Sequence, residues 1–263
     1  MPTRARRPRP DDPLSSALGY FRDLGVRELL LPGVPARRLA RAAAAEPAAA
    51  EPPPRDEAFS ATGDAAPAPI AGDLESIRAT VAACERCGLC RTRTQTVFSD
   101  GSGASRLMFV GEAPGADEDA TGVPFVGRAG QLLTKMIEAG MGLSRKDVYI
   151  ANVLKCRPPG NRNPEPDEIA ACRGYLEAQI ELVKPAVLVA LGKFAAHFLL
   201  DTEEPITRLR GKWGIRNGIP VMPTYHPSFL LRQPERKKEA WEDLQQVLAR
   251  MGLPIPGKKK GEA

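Results

Sequence analysis

A glutamate follows an apolar run near the middle of the sequence, where the chain turns sharply. The apolar run is Leu107–Gly111, and Glu112 comes directly after it in the segment Gly-Glu-Ala-Pro-Gly. A buried strand produces a short apolar run of this kind. Open α/β sheets bind ligands at the carboxyl ends of their strands, and glycines there let the backbone approach a ligand closely. Glu112 and the acidic cluster at 117–119 are therefore candidates for chemistry.

Two further polar residues stand at the ends of apolar runs. Asn152 lies at the end of the run 148–153, and His226 follows the run 219–224. The carboxyl ends of parallel strands share one edge of a sheet. If these runs are parallel strands, Glu112, Asn152 and His226 meet at that edge and can act on one ligand.

Strand-like runs alternate with amphipathic helical segments through the C-terminal two thirds of the chain. The strands are predicted at 107–111, 148–153, 186–191 and 219–224, and the helices at 130–139, 167–183, 193–200 and 235–251. This alternation is typical of a parallel sheet with helices on both faces. The predicted fold class is α/β, a three-layer α/β/α sandwich with a central four-stranded parallel sheet.

The first 72 residues differ in composition from the rest of the chain. Residues 1–10 are rich in arginine, and residues 42–72 are rich in Ala, Pro and Glu. Such segments bury too little apolar surface to fold. We expect a largely disordered N-terminal extension and linker at 1–72, a folded domain at 73–252 that begins with a helix capped by Asp73, and a basic tail at 253–263. The extension is either a docking arm for an unknown protein partner or an idle tail.

The composition and charge of the chain indicate its location in the cell and its class of partner. The 263-residue chain has a net charge of +5 and a pI near 9.0, which permits a polyanionic partner such as DNA. It contains no apolar run long enough to span a bilayer, and its basic N-terminus is not followed by the apolar core of a secretion signal. We therefore expect no membrane partner and a cytoplasmic, bacterial-type location, associated with the nucleoid if the protein binds DNA.

The five cysteines point to metal or redox chemistry, because disulfide frameworks are rare in the cytosol. Cys84 and Cys87 form a C-x-x-C pair, and Cys156 and Cys172 stand far along the chain. Four thiolates can enclose either a zinc ion or an iron–sulfur cluster. Cys90 extends the pair to C-x-x-C-x-x-C, a spacing found in ferredoxins, so an electron carrier is an alternative. The distance in sequence from Glu112 favours a structural site.

Five segments, taken in order, resemble the family 4 uracil-DNA glycosylases, the iron–sulfur branch of that superfamily. The segments are CERC at 84–87, GEAPGADED at 111–119, PFVGRAGQLL at 124–133, NVLKCRPP at 152–159 and HPSFLLR at 226–232. The resemblance covers residues from about 77 to 251 and leaves out the N-terminal extension. It implies that the enzyme flips uracil out of DNA, cleaves its N-glycosidic bond and leaves an abasic site.

The same resemblance implies roles for individual residues. A structural 4Fe–4S cluster would be held by Cys84, Cys87, Cys156 and Cys172, with Cys90 a bystander. Phe125 would stack on uracil, Asn152 would read its Watson–Crick edge, and Glu118 would crowd out the methyl group of thymine. The backbone N–H of Ala113 would face the pyrimidine, His226 would face O2, and Glu112 would act on the hydrolytic water.

These residue types suit the reaction that the resemblance implies. Cleavage of the C1′–N1 bond produces a cationic sugar and a uracil anion with charge on O2. A neutral imidazole or a backbone N–H aimed at O2 stabilises charge that develops late in the reaction. An ionised Glu112 can stabilise the sugar cation or orient water. Asn152 both donates and accepts hydrogen bonds, which suits the O4 and N3 positions of uracil.

The segment at 226–238 is the candidate contact with DNA. We expect it to run as a loop into the closing helix, with Leu230 or Leu231 filling the gap left by the flipped base and Arg232 holding a phosphate. Further phosphate contacts are expected from nearby basic residues, namely Lys155, Arg162, Arg236, Lys237 and Lys238. The expected substrate is uracil in single- or double-stranded DNA, and the expected assembly is a monomer.

Two alternatives to this function remain open. A related branch of the superfamily becomes covalently trapped on abasic DNA, but it carries a basic insert beside the last motif and a Gln where this chain has Ala113. The other alternative is a non-catalytic iron–sulfur DNA-binding module. The set Glu112, Asn152 and His226 argues against such a module, because binding alone does not require it.

Overall fold

The computed structural model of the protein describes residues 70–256. Nearly all of the predicted N-terminal extension, and the tail beyond residue 256, lie outside the described residues. Within the described range, no helix combines the length and the apolarity that a bilayer crossing requires. Leu253 and Ile255 pack against the core, so the folded part of the chain reaches past residue 252.

A single five-stranded sheet forms the centre of the described domain. Its strands are β1 (Leu107–Gly111), β2 (Tyr149–Asn152), β3 (Val187–Leu191), β4 (Gly214–Arg216) and β5 (Ile219–Thr224). The strand order is β2-β1-β3-β5-β4; β1 pairs parallel with β2 and β3, and β3 with β5, whereas β4 is antiparallel to β5. The four predicted parallel strands are thus confirmed, and β4 adds an antiparallel edge.

Alternation along the strands explains why both faces of the sheet are covered. Successive side chains of a strand point to opposite faces. Leu107 and Phe109 of β1 belong to one core cluster, while Met108 and Val110 belong to a second. All five residues of β1 are buried, which is the pattern expected of a parallel strand between two helical layers.

Within residues 70–256, eight α-helices surround the sheet. They are α1 (Leu74–Ala82), α2 (Ala116–Thr121), α3 (Arg128–Lys135), α4 (Pro166–Val183), α5 (Lys193–Leu200), α6 (Ile206–Leu209), α7 (Pro227–Arg232) and α8 (Lys237–Arg250). A π-helical turn (Met136–Gly140) continues α3, and short 3₁₀ turns span Gly88–Arg91, Pro159–Asn161 and Pro234–Arg236. Helices α3 and α8 pack on one face of the sheet, and α4 and α5 pack on the other. The predicted three-layer sandwich is confirmed.

A third core cluster lies beside the sheet, between α1 and α4. Ile77 and Val81 of α1 pack there with Tyr175 of α4. Helix α1 begins where the sequence predicts, because the side chain of Asp73 accepts a hydrogen bond of 2.8 Å from the N–H of Ser76. This cluster attaches the start of the domain to the rest of the fold.

The segment that follows His226 differs from the prediction. Residues 227–232 form the short helix α7 instead of a loop. Pro227 occupies the first helical turn, and the His226 side chain caps the helix by accepting from the N–H of Ser228. Proline is favoured at that position because the first helical N–H has no partner in the helix.

Candidate active site

The carboxyl ends of the parallel strands open into a cavity of about 410 Å³, called here the edge cavity. Clefts of this size hold small ligands. The edge cavity is lined by all six residues predicted to be catalytic or substrate-binding, namely Glu112, Ala113, Glu118, Phe125, Asn152 and His226. The strand pattern predicts this meeting for Glu112, Asn152 and His226, whereas the family resemblance implied the other three.

Gly111 lets the groups at the floor of the edge cavity come close together. It pairs with Asn152 in the parallel register of β1 and β2. A Cβ atom at this position would lie 2.5 Å from Cζ of Phe125 and would also overlap the side-chain oxygen of Asn152. Only glycine leaves room for both side chains, so Gly111 shapes the cavity without touching a ligand itself.

Asn152 is buried and carries an unused acceptor. Its side chain is 2% exposed, and its Oδ1 atom is the one buried side-chain N or O atom in the described chain with no hydrogen-bond partner. Its backbone carbonyl accepts a hydrogen bond of 2.7 Å from Nζ of Lys155. An unpaired buried acceptor is unfavourable, so this atom is prepared to accept an N–H group from a ligand.

His226 is held as a neutral imidazole with its free donor available. Nδ1 accepts from the backbone N–H of Ser228 at 3.1 Å, and it lies 2.8 Å from the Ser228 hydroxyl. Burial, assisted by the positive charge of Arg232, lowers the pKa of His226 to about 4. Because Nδ1 is an acceptor, the single proton of the neutral ring sits on Nε2. The ring can therefore donate one hydrogen bond without bringing a positive charge.

Glu112 has a strongly perturbed acidity. Burial raises the pKa of its carboxyl group to about 7, and the positive charge of Lys193 acts in the opposite direction. A carboxyl group with a pKa near the working pH suits proton transfer, because both of its protonation states are populated. Its backbone carbonyl accepts from the N–H of Leu154 at 3.0 Å, which fixes this part of the chain to the extension of β2.

Phe125 forms one wall of the edge cavity. It is 6% exposed, and its ring centroid lies 5.7 Å from that of His226. The carboxylate of Glu118 is turned toward backbone N–H groups: it accepts from Val126 at 2.8 Å, from Gly127 at 2.9 Å and from Gly115 at 3.1 Å. Glu118 thus lines the cavity while it also ties together the two segments that enclose it.

Helix α7 carries the two residues predicted to contact DNA. Arg232 is exposed and lines the edge cavity. Leu231 is 41% exposed, whereas Leu230 is buried in the core at 1%. Of the two leucines considered for the wedge, only Leu231 is accessible to a ligand.

Two of the predicted phosphate contacts are wrong. Lys155 is only 1% exposed, and its ammonium donates to the carbonyl of Asn152 and to Oε1 of Gln179. Lys237 is also buried, at 9% exposure. Arg162 lines the edge cavity but forms a bidentate ion pair with Glu168, in which Nη2 lies 2.6 Å from Oε1 and Nη1 lies 3.0 Å from Oε2. The sequence shows the charges of these residues but not which of them packing removes from the surface.

Lys193 was missed by the sequence interpretation. It follows Leu191 and Gly192 at the carboxyl end of β3, and its charge acts on Glu112. Polar residues at the carboxyl ends of parallel strands are candidates for ligand binding, and this reasoning identified Glu112, Asn152 and His226. Because Lys193 follows the end of β3, the same reasoning also identifies Lys193.

Four cysteines surround a second cavity. It lies by the third core cluster and is lined by the four predicted ligands, Cys84, Cys87, Cys156 and Cys172. Cys90 does not line this cavity. In residues 70–256, no group of three or more His, Cys, Asp or Glu side chains is arranged to hold a metal ion. A 4Fe–4S cluster differs from a single ion because its thiolates surround a volume, each bonded to a different iron.

The charges around this second cavity fit an anionic group. Nη1 of Arg93 lies 3.2 Å from Sγ of Cys156 and donates to the carbonyl of Cys84 at 2.8 Å. Lys155 is buried between two neutral acceptors, and the thiols of Cys156 and Cys172 are the nearby groups that can carry negative charge. Buried cations require compensating charge. The four cysteines and these two cations therefore fit an iron–sulfur cluster with thiolate ligands.

Comparison with known proteins agrees with this geometry. The family model described as "Uracil DNA glycosylase superfamily" matches residues 98–245. The chain is 46% identical over 180 residues to a type-4 uracil-DNA glycosylase of Thermotoga maritima, covering 66% of this chain and 92% of the relative. It is 45% identical over 184 residues to the type-4 enzyme of Archaeoglobus fulgidus, covering 66% of this chain and 91% of the relative.

A third relative is similar to this chain over a stretch of nearly the same length. The type-4 uracil-DNA glycosylase of Sulfurisphaera tokodaii is 44% identical over 182 residues, or 66% of this chain and 83% of the relative. The matched portion carries the edge cavity, since the family model begins at residue 98 and ends at residue 245. The chain belongs to the uracil DNA glycosylase superfamily and, within it, to the type-4 uracil-DNA glycosylases.

Proposed function

We propose that this protein is a DNA repair enzyme that hydrolyses the N-glycosidic bond of uracil in DNA. It releases free uracil and leaves an abasic site. The observation that carries the proposal is the unpaired, buried Oδ1 of Asn152 in a cavity shared with the neutral His226 and with Glu112. Membership of the family supports this type of reaction. The residues that line the edge cavity have the chemical groups that its steps require.

Asn152 reads the base. Its Oδ1 accepts the N3–H of uracil, and its amide N–H donates to O4. Cytosine presents an amino group where uracil has O4 and no proton at N3, so it leaves both groups of the asparagine mismatched. Sites built to hydrogen-bond a substrate reject analogues that lack the complementary groups strongly. Stacking on Phe125 holds the ring in place and contributes about 1–3 kcal/mol.

The bond to be broken joins C1′ of the sugar to N1 of the base. As it breaks, the electron pair passes to uracil and collects on O2, while the sugar becomes cationic. The Nε2–H of His226 and the backbone N–H of Ala113 stabilise the anion. Ionised Glu112 orients water toward C1′ and accepts its proton as the new C–O bond forms. Glu118 lies beside C5 and leaves no room for the methyl group of thymine.

Leu231 and Arg232 contact the DNA around the flipped nucleotide. The exposed Leu231 side chain fills the gap in the base stack, and Arg232 holds a phosphate at the mouth of the edge cavity. Flipping costs a few kcal/mol, and less for a mismatched or single-stranded base. Both single- and double-stranded DNA containing uracil are therefore substrates.

The cysteine-lined cavity holds a 4Fe–4S cluster, bound by Cys84, Cys87, Cys156 and Cys172. Through these ligands the cluster would cross-link the segment after α1, helix α4 and the segment after β2, a structural role away from the edge cavity. Arg93 and Lys155 balance its negative charge. Cys90 stays outside the ligand set.

Substitution of one ligand tests this assignment. Cys172→Ser is expected to lower the iron content and to lower Tm by roughly 5 °C or more, because cluster binding contributes to folding. Iron analysis and thermal unfolding measure both effects. The matched control is Cys90→Ser, which we expect to leave both unchanged. Loss of iron in the Cys90 variant but not in the Cys172 variant would contradict the ligand set.

The proposal also covers the location, assembly and domain organisation of the enzyme. We place the enzyme as a monomer in the cytoplasm, near nucleoid DNA. Residues 73–252 carry the catalysis, and the core packing of Leu253 and Ile255 extends this domain slightly beyond them. Residues 1–72 are assigned to an N-terminal extension, either a docking arm for an unknown protein partner or an idle tail, and the basic residues near the C-terminus to a tail.

Release of the free base tests the proposed function directly. Purified enzyme is incubated with an oligonucleotide that carries one uracil, and the small-molecule products are identified by mass spectrometry. We expect free uracil in multiple turnovers, and no free base from otherwise identical oligonucleotides with thymine or cytosine at that position. Tight binding of the uracil oligonucleotide without base release would instead favour the non-catalytic DNA-binding module.

A further inference from the structure

We infer that Arg145 is a positioning residue for Phe125, together with Glu118. The inference rests on the proposed function, in which the Phe125 ring stacks on uracil. Arg145 does not line the edge cavity, so it acts on the base only through other residues. The relevant segment is residues 124–127, called here the Phe125 turn.

The Phe125 turn has an unfavourable backbone conformation at its centre. Phe125 has a φ of 55°, in the left-handed region that bulky side chains rarely adopt. It is buried, whereas the other described residues with positive φ that are not glycine are all exposed: Arg106, Asn161, Lys184, Asp201 and Asn217. Such a conformation persists only where the surrounding structure holds it, and it is common at binding sites.

Glu118 holds the peptide group that follows Phe125. One carboxylate oxygen accepts from the N–H groups of both Val126 and Gly127, at 2.8 and 2.9 Å. The other oxygen accepts from Gly115 at 3.1 Å, which anchors the carboxylate to the segment after β1. The orientation of the peptide between residues 125 and 126 sets ψ of Phe125, so Glu118 fixes that angle.

Arg145 holds the peptide group that precedes Phe125. Its Nη2 donates to the carbonyl of Pro124 at 2.8 Å. Its other two nitrogens have separate partners: Nη1 donates to Oγ1 of Thr134 at 2.8 Å, and Nε donates to Oδ2 of Asp100 at 2.9 Å. With the side chain 15% exposed and all three nitrogens engaged, the guanidinium is fixed in place. The Pro124 carbonyl therefore sets φ of Phe125.

The two residues thus fix the two peptide planes whose angles aim the Phe125 ring. Gly130 lies directly beneath the turn, where a Cβ atom would overlap the backbone of Phe125. The turn is therefore held from below by α3 and on its two sides by Arg145 and Glu118. Loss of the Arg145 bond frees the Pro124 carbonyl and lets Phe125 relax from the left-handed conformation. The ring then leaves the position in which it stacks on the base.

Substitution of Arg145 is expected to weaken catalysis through substrate binding. Arg145→Ala should lower kcat/KM on uracil DNA about tenfold, mostly through a higher KM, because part of the stacking contribution is lost. Arg145→Lys should not restore kcat/KM, since a single ammonium cannot reproduce the three hydrogen bonds that the guanidinium donates. Arg208→Ala, which removes an exposed arginine of α6, is the control and should leave kcat/KM unchanged.

A double-mutant cycle with Phe125→Ala separates positioning from general loss of structure. If Arg145 acts through Phe125, Arg145→Ala should change kcat/KM less than about twofold when Phe125 is already alanine. An equal tenfold loss in both backgrounds would overturn the inference. If Phe125→Ala alone leaves kcat/KM unchanged, the proposed stacking role itself fails, which is a separate result. Should Arg145→Ala not fold, Arg145→Lys replaces it in the cycle, because it keeps a positive charge beside Asp100.

Discussion

Replacement of Asn152 by alanine is expected to lower kcat/KM on uracil DNA by about 10²–10³-fold, the loss typical when a donor that stabilises the transition state is removed. In the proposed function Asn152 supplies both hydrogen bonds to the base edge, and its side chain is 2% exposed. Water cannot replace these bonds well in so enclosed a position. Steady-state kinetics on an oligonucleotide with one uracil measures the effect.

Asn161→Ala is the matched control for this substitution. Asn161 also lines the edge cavity, but its Oδ1 already accepts from Nε of Arg157 at 2.8 Å. Because that amide is exposed and engaged within the protein, its removal is expected to change kcat/KM by less than about threefold. Equal losses in the two variants would show that the unpaired acceptor of Asn152 has no special role in reading the base.

Replacement of Glu112 by glutamine is expected to lower kcat by about 10²–10⁴-fold, the range for loss of a general base. Glutamine keeps the shape of the side chain but can neither accept a proton nor stabilise a cationic sugar. The wild-type enzyme is expected to show an acid limb near pH 7, because burial raises the pKa of Glu112 to about 7 and the proposed mechanism uses its ionised form. The kcat/KM value should rise with pH up to this point and then level off.

His226 should not contribute to that pH profile. Its pKa of about 4 leaves the imidazole neutral across the whole range in which Glu112 titrates. Lys193→Met should move the acid limb to higher pH, because the lysine charge favours the ionised carboxylate. An acid limb that stays in place in this variant, or that persists in Glu112→Gln, would contradict the assignment of the limb to Glu112.

The same acidity predicts a gain in stability when Glu112 is replaced. Burial raises the folded-state pKa from 4.5 to about 7, so the folded protein binds this proton more tightly than the unfolded chain does. The resulting stability is fully present below pH 4.5 and is lost as the pH rises through about 7. At pH 8, Glu112→Gln should therefore raise the free energy of unfolding, by on the order of 2 kcal/mol. Thermal or denaturant unfolding measures this gain. Glu181 is exposed, so Glu181→Gln serves as the control and should leave the free energy of unfolding unchanged.

The long elements of the fold could be predicted from sequence because their patterns are strong. Strands β1 and β5 and helix α5 have the predicted bounds, since each is a continuous apolar or amphipathic run that glycine or a polar residue ends. Short elements were missed. Strand β4 has three residues and is half exposed, and α6 has four, so neither is long enough to show a period. Pairing with β5 and packing on the core stabilise them, which only the folded chain reveals.

The candidate site, like the fold, could be predicted from sequence only in part. The strand-end rule places Glu112, Asn152 and His226 in one cavity without knowledge of side-chain contacts. It does not reveal that the carboxylate of Glu118 is engaged by three backbone N–H groups, or that Phe125 has a positive φ. These features depend on contacts between segments distant in sequence, such as the bond from Arg145 to the Pro124 carbonyl.

The most direct test of the central claim is a gel assay on a labelled oligonucleotide that contains one uracil, run with and without alkali. A glycosylase that leaves an abasic site should give cleavage at the uracil position only after alkali treatment, with none in a thymine control. That cleavage should be lost in Glu112→Gln and Asn152→Ala, both of which should remain folded with their iron. A band of protein bound to DNA that resists denaturant would show covalent trapping instead of turnover. Intact wild-type protein that gives neither product would contradict the claim that the edge cavity is a uracil-excising active site.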